Sequence, residues 1–164
     1  MKHIMGPQSK SSLTNTQEGD VQPNAVDLRV DKMFKIKHDT LFRISEDQKI
    51  HRGTIELMPD SFGYFHLDGG ESYEVIMENI VRVGEGEAGW VITRSTLNRN
   101  GLFLTSGLYD TGYHGVMAGV LHNSSGQARI KKGTRIGQYL SFDAEALHNY
   151  KGSYGIGTEH DKKY

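Results

Sequence analysis

The stretch GLYDTGYHG, residues 107–115, decides how this chain is interpreted, because it predicts a β-hairpin turn. Glycine allows the backbone conformations that a tight turn needs, and the apolar run at 116–121 follows as a strand. Turn geometry alone could explain both Asp110 and Gly112. The stretch therefore indicates a β protein, and by itself it indicates no function.

The chain on both sides of this stretch consists of short strands separated by turns. It has 20 glycines and three prolines, and the glycines fall between short runs rich in Val, Ile, Tyr and Phe. One helical turn is predicted, at 94–99. Because no amphipathic helices separate the strands, we expect an all-β sandwich, jelly roll or barrel. The predicted strands are 62–67, 73–77, 89–93, 101–104, 116–121, 129–130 and 135–142.

The length of the chain, 164 residues, predicts a single domain. Residues 1–20 are rich in Ser, Thr, Asn, Gln and Gly and predict a flexible N-terminal lead-in. Residues 149–164 are rich in Gly, Tyr and Lys and predict a flexible C-terminal arm. The β domain is therefore expected at 21–148.

Composition excludes several classes of protein. Without cysteine there is no disulfide, no thiolate chemistry and no His/Cys/Cys zinc centre of a nucleobase deaminase. The net charge is -1 with dispersed basic residues, so we expect a small anionic ligand and no direct nucleic-acid binding. The apolar runs are too short to span a membrane and no secretory signal is evident, which predicts a cytoplasmic protein.

Four other segments carry polar groups with either a structural or a chemical use. Asp27 could be an outward residue at the start of a strand. Ser95 and Thr96 could cap a helical turn, or their hydroxyls could bind phosphate beside Arg94. Residues 132–138 could be a hairpin turn. The glycine-rich run at 152–158 is a weak signal alone.

The joint order and spacing of these segments resemble the five motifs of the trimeric dUTPase family and its sister group, the dCTP deaminases. The resemblance covers about residues 21–158 and is most specific in RSTLNRNGL (94–102), GLYDTGYHG (107–115) and KKGTRIGQ (131–138). It implies an all-β, jelly-roll-like fold with short helical turns, assembled as a homotrimer with active sites between subunits. It also implies that the glycine-rich tail folds over a site on another subunit once nucleotide is bound.

One position favours hydrolysis over deamination within this superfamily. The deaminases carry a catalytic glutamate ten residues after the aspartate of the third motif, where this chain has Val120, which cannot transfer protons. In contrast, QPNAVDLR (22–29) resembles the first motif of the deaminases. We expect hydrolysis of dUTP to dUMP and pyrophosphate. The alternatives are a deaminase-related enzyme, a hydrolase of another pyrimidine deoxynucleotide triphosphate, and a regulator that binds nucleotide without turnover.

The resemblance also implies roles for individual residues. Asp110 would be the general base that activates the water attacking the α-phosphorus, and Mg²⁺ chelated by the triphosphate would neutralise charge. Asp27 would contact the metal through water, and the ring of Tyr113 would lie under the deoxyribose. The residues expected to bind substrate are Arg94, Ser95, Thr96, Gly107, Leu108, Tyr113, Gln138, Lys151, Gly155, Ile156, Gly157 and Thr158.

Three departures from the family pattern concern base recognition and closure of the tail. The family reads uracil largely through the hairpin backbone, which here would be residues 107–113, but Tyr109 stands where a small aliphatic residue is usual. Lys151 replaces an arginine and loses its bidentate fork. Ile156 replaces the phenylalanine that stacks on the base and loses the aromatic face.

Overall fold

Thirteen β-strands and one short helix lie within residues 1–158, the part of the chain that the computed structural model describes. The end of the predicted C-terminal arm, at 159–164, lies outside the described residues. The elements are β1 (Ser12–Leu13), β2 (Val26–Ile36), β3 (Arg43–Ile44), β4 (Lys49–Ile50), β5 (Thr54–Leu57), β6 (Tyr64–Leu67), β7 (Ser72–Arg82), β8 (Glu87–Thr93), α1 (Ser95–Arg99), β9 (Leu102–Thr105), β10 (Leu108–Tyr109), β11 (His114–Asn123), β12 (Ala128–Lys131) and β13 (Arg135–Asp143).

The all-β prediction is confirmed, and each strand predicted from sequence overlaps an observed one. The strand β2 is the longest one that is missing from the predicted set, and sequence indicated only its possible start at Asp27. Val26, Leu28 and Val30 alternate inward along it, but the pairing of β2 with β7 shifts register between Val30 and Lys32, and Met33 is the next buried residue. A β-bulge of this kind interrupts the period of two by which strands are recognised.

The main sheet curls because its central strand β2 changes partner along its length. Residues 26–29 of β2 pair with β13, whereas residues 33–36 pair with β5. The strands follow the order β10-β8-β13-β2-β7-β11-β9, with β1 on β7 and β5 on β2. Two small pairs, β12 with β6 and β3 with β4, complete the fold.

The inner face of the curled sheet encloses the hydrophobic core. Each large apolar side chain removed from water there contributes about 1.5–3 kcal/mol to folding. The core side chains of the longest strands include Val26, Leu28, Val30, Met33, Tyr73, Val75, Met77, Met117, Leu121, Ile136 and Tyr139. The outer face of β7 and β11 is left for other contacts, and the candidate site lies against it.

The N-terminal segment is packed on the sheet, which differs from the flexible lead-in predicted at 1–20. Glu87 of β8 is 1% exposed and accepts hydrogen bonds from the Lys10 and Ser11 amides at 2.8 and 3.1 Å and from Lys2 Nζ at 3.0 Å. Burial alone would raise the pKa of Glu87, but hydrogen bonds, led by the Ser11 hydroxyl, lower it to about 2. Ile4 is also buried. The polar composition of residues 1–20 predicted mobility because their buried partner, Glu87, lies more than 70 residues away in the sequence and no local pattern indicates it.

No helix within residues 1–158 has the length and apolar character that a membrane span requires.

Candidate functional site

The turn at 110–113 presents a carboxylate to solvent. The Tyr113 amide donates to the Asp110 carbonyl at 3.0 Å, and Gly112 has φ 84°. A positive φ at the third position of a turn favours glycine, so turn geometry does explain Gly112. The Asp110 side chain is exposed, and within residues 1–158 its carboxylate makes no hydrogen bond. The structure of the turn therefore uses the backbone of Asp110 and leaves its carboxylate available.

Two tyrosines flank this turn and pack against each other, with ring centroids 5.2 Å apart at 65°. Tyr113 donates its hydroxyl to the Val116 carbonyl at 2.7 Å. The Tyr109 hydroxyl donates to the Ala118 carbonyl at 2.9 Å and accepts from the Ala118 amide at 3.0 Å. Burial raises the pKa of Tyr113 to about 12 and also raises that of Tyr109. Both phenols stay neutral near pH 7 and serve as fixed walls.

A cavity of about 670 Å³ opens beside these tyrosines. The predicted substrate-binding residues Gly107, Leu108 and Tyr113 line it. Its floor is the outer face of the sheet, where Glu74 of β7 is the direct cross-strand partner of Val120 on β11. Directly opposed residues project from the same face of a sheet, so both side chains face the cavity. The volume suits a small-molecule ligand.

Several lining residues had not been predicted from sequence. Phe42, His51 and Arg52 come from the segment between β2 and β5, Glu74 comes from β7, and Tyr154 comes from the C-terminal arm. The alternation of side chains along a strand predicts that Glu74 points away from the core, but it cannot predict that a cavity lies on that side of the sheet. The abundance of tyrosine in the tail was the one available signal for Tyr154.

Three predicted residues, Asp27, Arg94 and Gln138, meet around the buried Asp27 carboxylate. Arg135, which had not been predicted, joins them, and we call these four residues the Asp27 cluster. Asp27 is 0% exposed. Its Oδ1 lies 3.2 Å from Arg94 Nε and 3.0 Å from Gln138 Nε2, and its Oδ2 lies 3.4 Å from Arg135 Nη1. The structure therefore contradicts the interpretation of Asp27 as an outward strand residue and joins three of the predicted motifs.

The helical turn α1 begins directly after Arg94. Arg94 occupies the N-cap position, and no side chain caps the first turn. Ser95 and Thr96 are exposed. The interpretation of these hydroxyls as helix caps is therefore wrong, and they remain accessible for a ligand beside the Asp27 cluster.

Asp110 and the Asp27 cluster lie at opposite ends of β8. Tyr109, which precedes Asp110, pairs with Gly89, whereas Arg94 follows the last residue of the strand, Thr93. A strand advances about 3.3 Å per residue, so Gly89 and Arg94 are roughly 16 Å apart along it. One chain thus presents two separate half-sites.

The described residues do not form a metal cage of their own. Within residues 1–158 no three His, Asp or Glu side chains cluster in a metal-binding arrangement. Both oxygens of Asp27 are taken by guanidinium and amide donors, and Gln22 Nε2 adds a further contact to Oδ2 at 3.2 Å. The Arg94 and Arg135 guanidinium groups beside Asp27 are positively charged and would repel a metal cation, so Asp27 does not fit the role of metal contact that was expected for it.

The C-terminal arm runs across the same hairpin. The Tyr150 amide donates to the Thr111 carbonyl and the Ile156 amide donates to the His114 carbonyl, both at 2.8 Å. Tyr150 and Tyr154 line the cavity, whereas Ile156 is 49% exposed and does not. The other predicted arm residues, Lys151, Gly155, Gly157 and Thr158, also do not line it.

Comparison with known proteins identifies relatives along almost the whole chain. Residues 4–143 match the family model described as dCTP deaminase-like. The probable deoxyuridine 5'-triphosphate nucleotidohydrolase of Methanothermobacter thermautotrophicus is 29% identical, with 92% of this chain and 98% of that protein covered. The corresponding protein of Methanococcoides burtonii is 34% identical, with 82% and 80% covered.

Among solved structures, a mutant dUTPase from phage phi11 of S. aureus aligns with a TM-score of 0.54 at 13% identity, covering 88% of this chain and 97% of that one. That structure was described for its coordination of a structural Mg(II) ion. At this identity the likeness concerns the fold alone.

Proposed function

Because this chain belongs to the dCTP deaminase-like family, we propose that it hydrolyses dUTP to dUMP and pyrophosphate. Its curated relatives are named for this activity, and the similarity to this chain covers most of their length. The observation that carries the proposal is the exposed carboxylate of Asp110, presented by a turn between two buried tyrosines that line a cavity of about 670 Å³.

Asp110 acts as the general base in this mechanism. Its carboxylate orients a water molecule and accepts a proton as the water attacks the α-phosphorus, while pyrophosphate departs. A carboxylate is a weak base, so much of the rate comes from positioning. Tyr109 and Tyr113 supply that positioning, since both hydroxyls are bonded to the β11 backbone.

Hydrolysis is favoured over deamination by the identity of residue 120 on the floor of the cavity, whereas Glu74, the carboxylate opposite it, keeps a deaminase with a displaced acid as the second candidate. Val120 lines the cavity at the position where the deaminases carry a catalytic glutamate. Valine can neither accept nor donate the protons that removal of ammonia from cytosine requires. Water attack at phosphorus, in contrast, requires no acid at this place.

The Asp27 cluster binds the triphosphate. Asp27 holds the Arg94 and Arg135 guanidinium groups, which together with Gln138 and the hydroxyls of Ser95 and Thr96 provide donors for phosphate oxygens. Mg²⁺ chelated by the triphosphate, as part of the substrate, would supply charge neutralisation for the leaving pyrophosphate. Asp27 itself keeps the phosphate-binding side chains in place.

The complete site contains two copies of the chain, because the two half-sites are too far apart on β8 to hold the reacting ends of one nucleotide. A homotrimer with closed cyclic symmetry places the Asp27 cluster of one subunit beside Asp110 of the next. Co-expressing Asp110→Asn and Arg94→Ala chains tests this arrangement. We expect two inactive variants to restore activity when mixed, and a monomeric mass by light scattering would contradict the trimer.

A cytoplasmic location stays a prediction.

A substrate panel tests the function itself. The protein is incubated with Mg²⁺ and dUTP, dCTP, dTTP or UTP, and nucleotide, pyrophosphate and ammonia are measured. We expect dUMP and pyrophosphate from dUTP. Little reaction of UTP is expected, because Tyr113 lines the cavity and its ring would lie under the deoxyribose, where it leaves no space for a 2′-hydroxyl. Ammonia from dCTP would instead identify a deaminase, and dUTP binding without pyrophosphate would identify a nucleotide-binding regulator.

A further inference from the structure

We propose that Thr111 is a positioning residue for Asp110, because its hydroxyl fixes the direction in which the turn presents the carboxylate. This inference rests on the proposed function, in which Asp110 orients the attacking water. Closure of the turn does not require a hydroxyl at this place, since the bond from the Tyr113 amide to the Asp110 carbonyl already closes it.

The first observation is the contrast between two neighbouring side chains. Asp110 is exposed, whereas Thr111, the next residue, is only 4% exposed. The Thr111 hydroxyl donates to the backbone carbonyl of Glu87 at 2.6 Å, in a bond that is itself buried. A buried hydroxyl that loses its acceptor carries an energetic penalty. The bond therefore holds the turn in one orientation relative to β8.

The second observation is that the backbone of Thr111 is also bonded. Its carbonyl accepts from the Tyr150 amide of the C-terminal arm at 2.8 Å. The side chain of Thr111 thus ties the turn to β8, and its main chain ties the turn to the arm. The peptide group that joins Asp110 to Thr111 is consequently held from two sides.

The third observation is that the acceptor carbonyl belongs to a braced segment, residues 83–87. Ser11 supports this segment through its amide, which donates to the Glu87 carboxylate at 3.1 Å, and through its hydroxyl, which accepts from the Gly84 amide at 2.9 Å. From the turn, the Gly112 amide donates to the Val83 carbonyl at 3.0 Å. The packed N-terminal segment therefore supports the part of the fold on which the turn rests.

The position of this carboxylate matters because a weak base depends on geometry for much of its effect. A misplacement of about 1 Å can lower the rate of a catalysed reaction about 100-fold. Within residues 1–158 the Asp110 carboxylate makes no hydrogen bond of its own. Its direction therefore depends on the backbone that Thr111 holds.

The experiment separates the hydroxyl from the shape of the side chain. Thr111→Val removes the hydroxyl and keeps the branched shape, whereas Thr111→Ser keeps the hydroxyl. Ser124→Ala is the matched control, because the Ser124 hydroxyl also donates to a backbone carbonyl, that of Gly101 at 2.8 Å, and lies beyond the opposite end of β11.

Three quantities are measured for each variant. Steady-state kinetics with dUTP and Mg²⁺ give kcat and KM. Calorimetry gives the affinity for the non-hydrolysable imido analogue of dUTP. Hydrogen exchange of residues 109–115 reports how firmly the turn is held, and it does so without any turnover.

We expect Thr111→Val to lower kcat about 10- to 100-fold, while KM and analogue affinity stay within about threefold of the parent values. Thr111→Ser should keep kcat within about threefold, because the hydroxyl can still reach the Glu87 carbonyl. Exchange of residues 109–115 should accelerate in Thr111→Val and stay unchanged in Ser124→Ala. A purely structural role would lower the melting temperature and leave kcat of the folded protein unchanged.

A kcat of Thr111→Val within about twofold of the parent would overturn the assignment. An equal loss in Thr111→Ser would also overturn it, because the effect would then come from packing of the side chain. The proposed function fails separately, if the parent itself releases no pyrophosphate from dUTP. In that case faster exchange in Thr111→Val would still support the tie between the turn and β8, and unchanged exchange would overturn it.

Discussion

The ring of Tyr150 contacts the ring of Tyr113 edge to face, with centroids 5.4 Å apart and planes at 77°. This contact joins the C-terminal arm to the hairpin that carries Asp110. A hydrogen bond from the Tyr150 amide to the Thr111 carbonyl, at 2.8 Å, holds the arm at the same place. Ordering of the arm and shape of the cavity are therefore linked through one aromatic pair.

Tyr150→Ala should loosen the arm and lower kcat/KM for dUTP. An edge-to-face pair contributes about 0.5–1.5 kcal/mol beyond area burial, which corresponds to a roughly 2- to 12-fold effect. Hydrogen exchange of residues 150–156 should accelerate in the same variant. Tyr150→Phe keeps the ring and serves as control, and equal losses in both variants would assign the effect to the hydroxyl instead.

Asp110→Asn should reduce kcat about 10²- to 10⁴-fold, the usual contribution of a positioned general base. Binding of dUTP should change by no more than about tenfold, since the amide keeps the shape of the side chain. Asp68→Asn, an exposed aspartate on another part of the surface, is the control. Turnover of Asp110→Asn at close to the parent rate would show that another group activates the water.

Tyr154 and Ile156 offer a matched comparison, because both lie in the arm at similar exposure, 39% and 49%, and only Tyr154 lines the cavity. We expect Tyr154→Ala to weaken dUTP use by about 1–3 kcal/mol if its ring covers the base. Ile156→Ala should have little effect. The opposite order in steady-state kinetics would restore the role of covering residue to Ile156, as the sequence resemblance implied.

Chelation with EDTA should abolish pyrophosphate release and leave the melting temperature unchanged. The reason is that residues 1–158 contain no clustered carboxylates or histidines to hold a structural ion, whereas the triphosphate chelates Mg²⁺ itself. Added Mg²⁺ should restore activity. A melting temperature that falls with EDTA would point to a metal bound by the protein.

Acid should destabilise the protein through Glu87. Its folded-state pKa is about 2, below its ordinary value, so the carboxylate stabilises the fold above the ordinary carboxyl range and loses this effect as pH falls toward 2. Glu87→Gln should lower the free energy of unfolding at pH 7 by about 1.5–3 kcal/mol, because the ionised acceptor for Ser11 and Lys10 is lost. Urea titrations between pH 7 and 3 should show the two proteins converging.

Local sequence was sufficient for the turn and for most strands. Gly112 at positive φ between Asp110 and Tyr113 follows from steric rules that act over a few residues. The family resemblance also brought Asp27, Arg94 and Gln138 to attention, and the structure places all three in one cluster. Their roles in catalysis stay predictions.

Only the tertiary structure decided which distant residues face each other. Glu74 lies opposite Val120 because of the register between β7 and β11, and that register includes a bulge that no local pattern records. In the same way, hydrogen bonds to the buried Glu87 hold residues 2–11 on the sheet, although the composition of this segment predicted mobility. Turns and strands depend on neighbours in the chain, whereas cavities and buried charges depend on strand pairing between segments that the sequence keeps far apart.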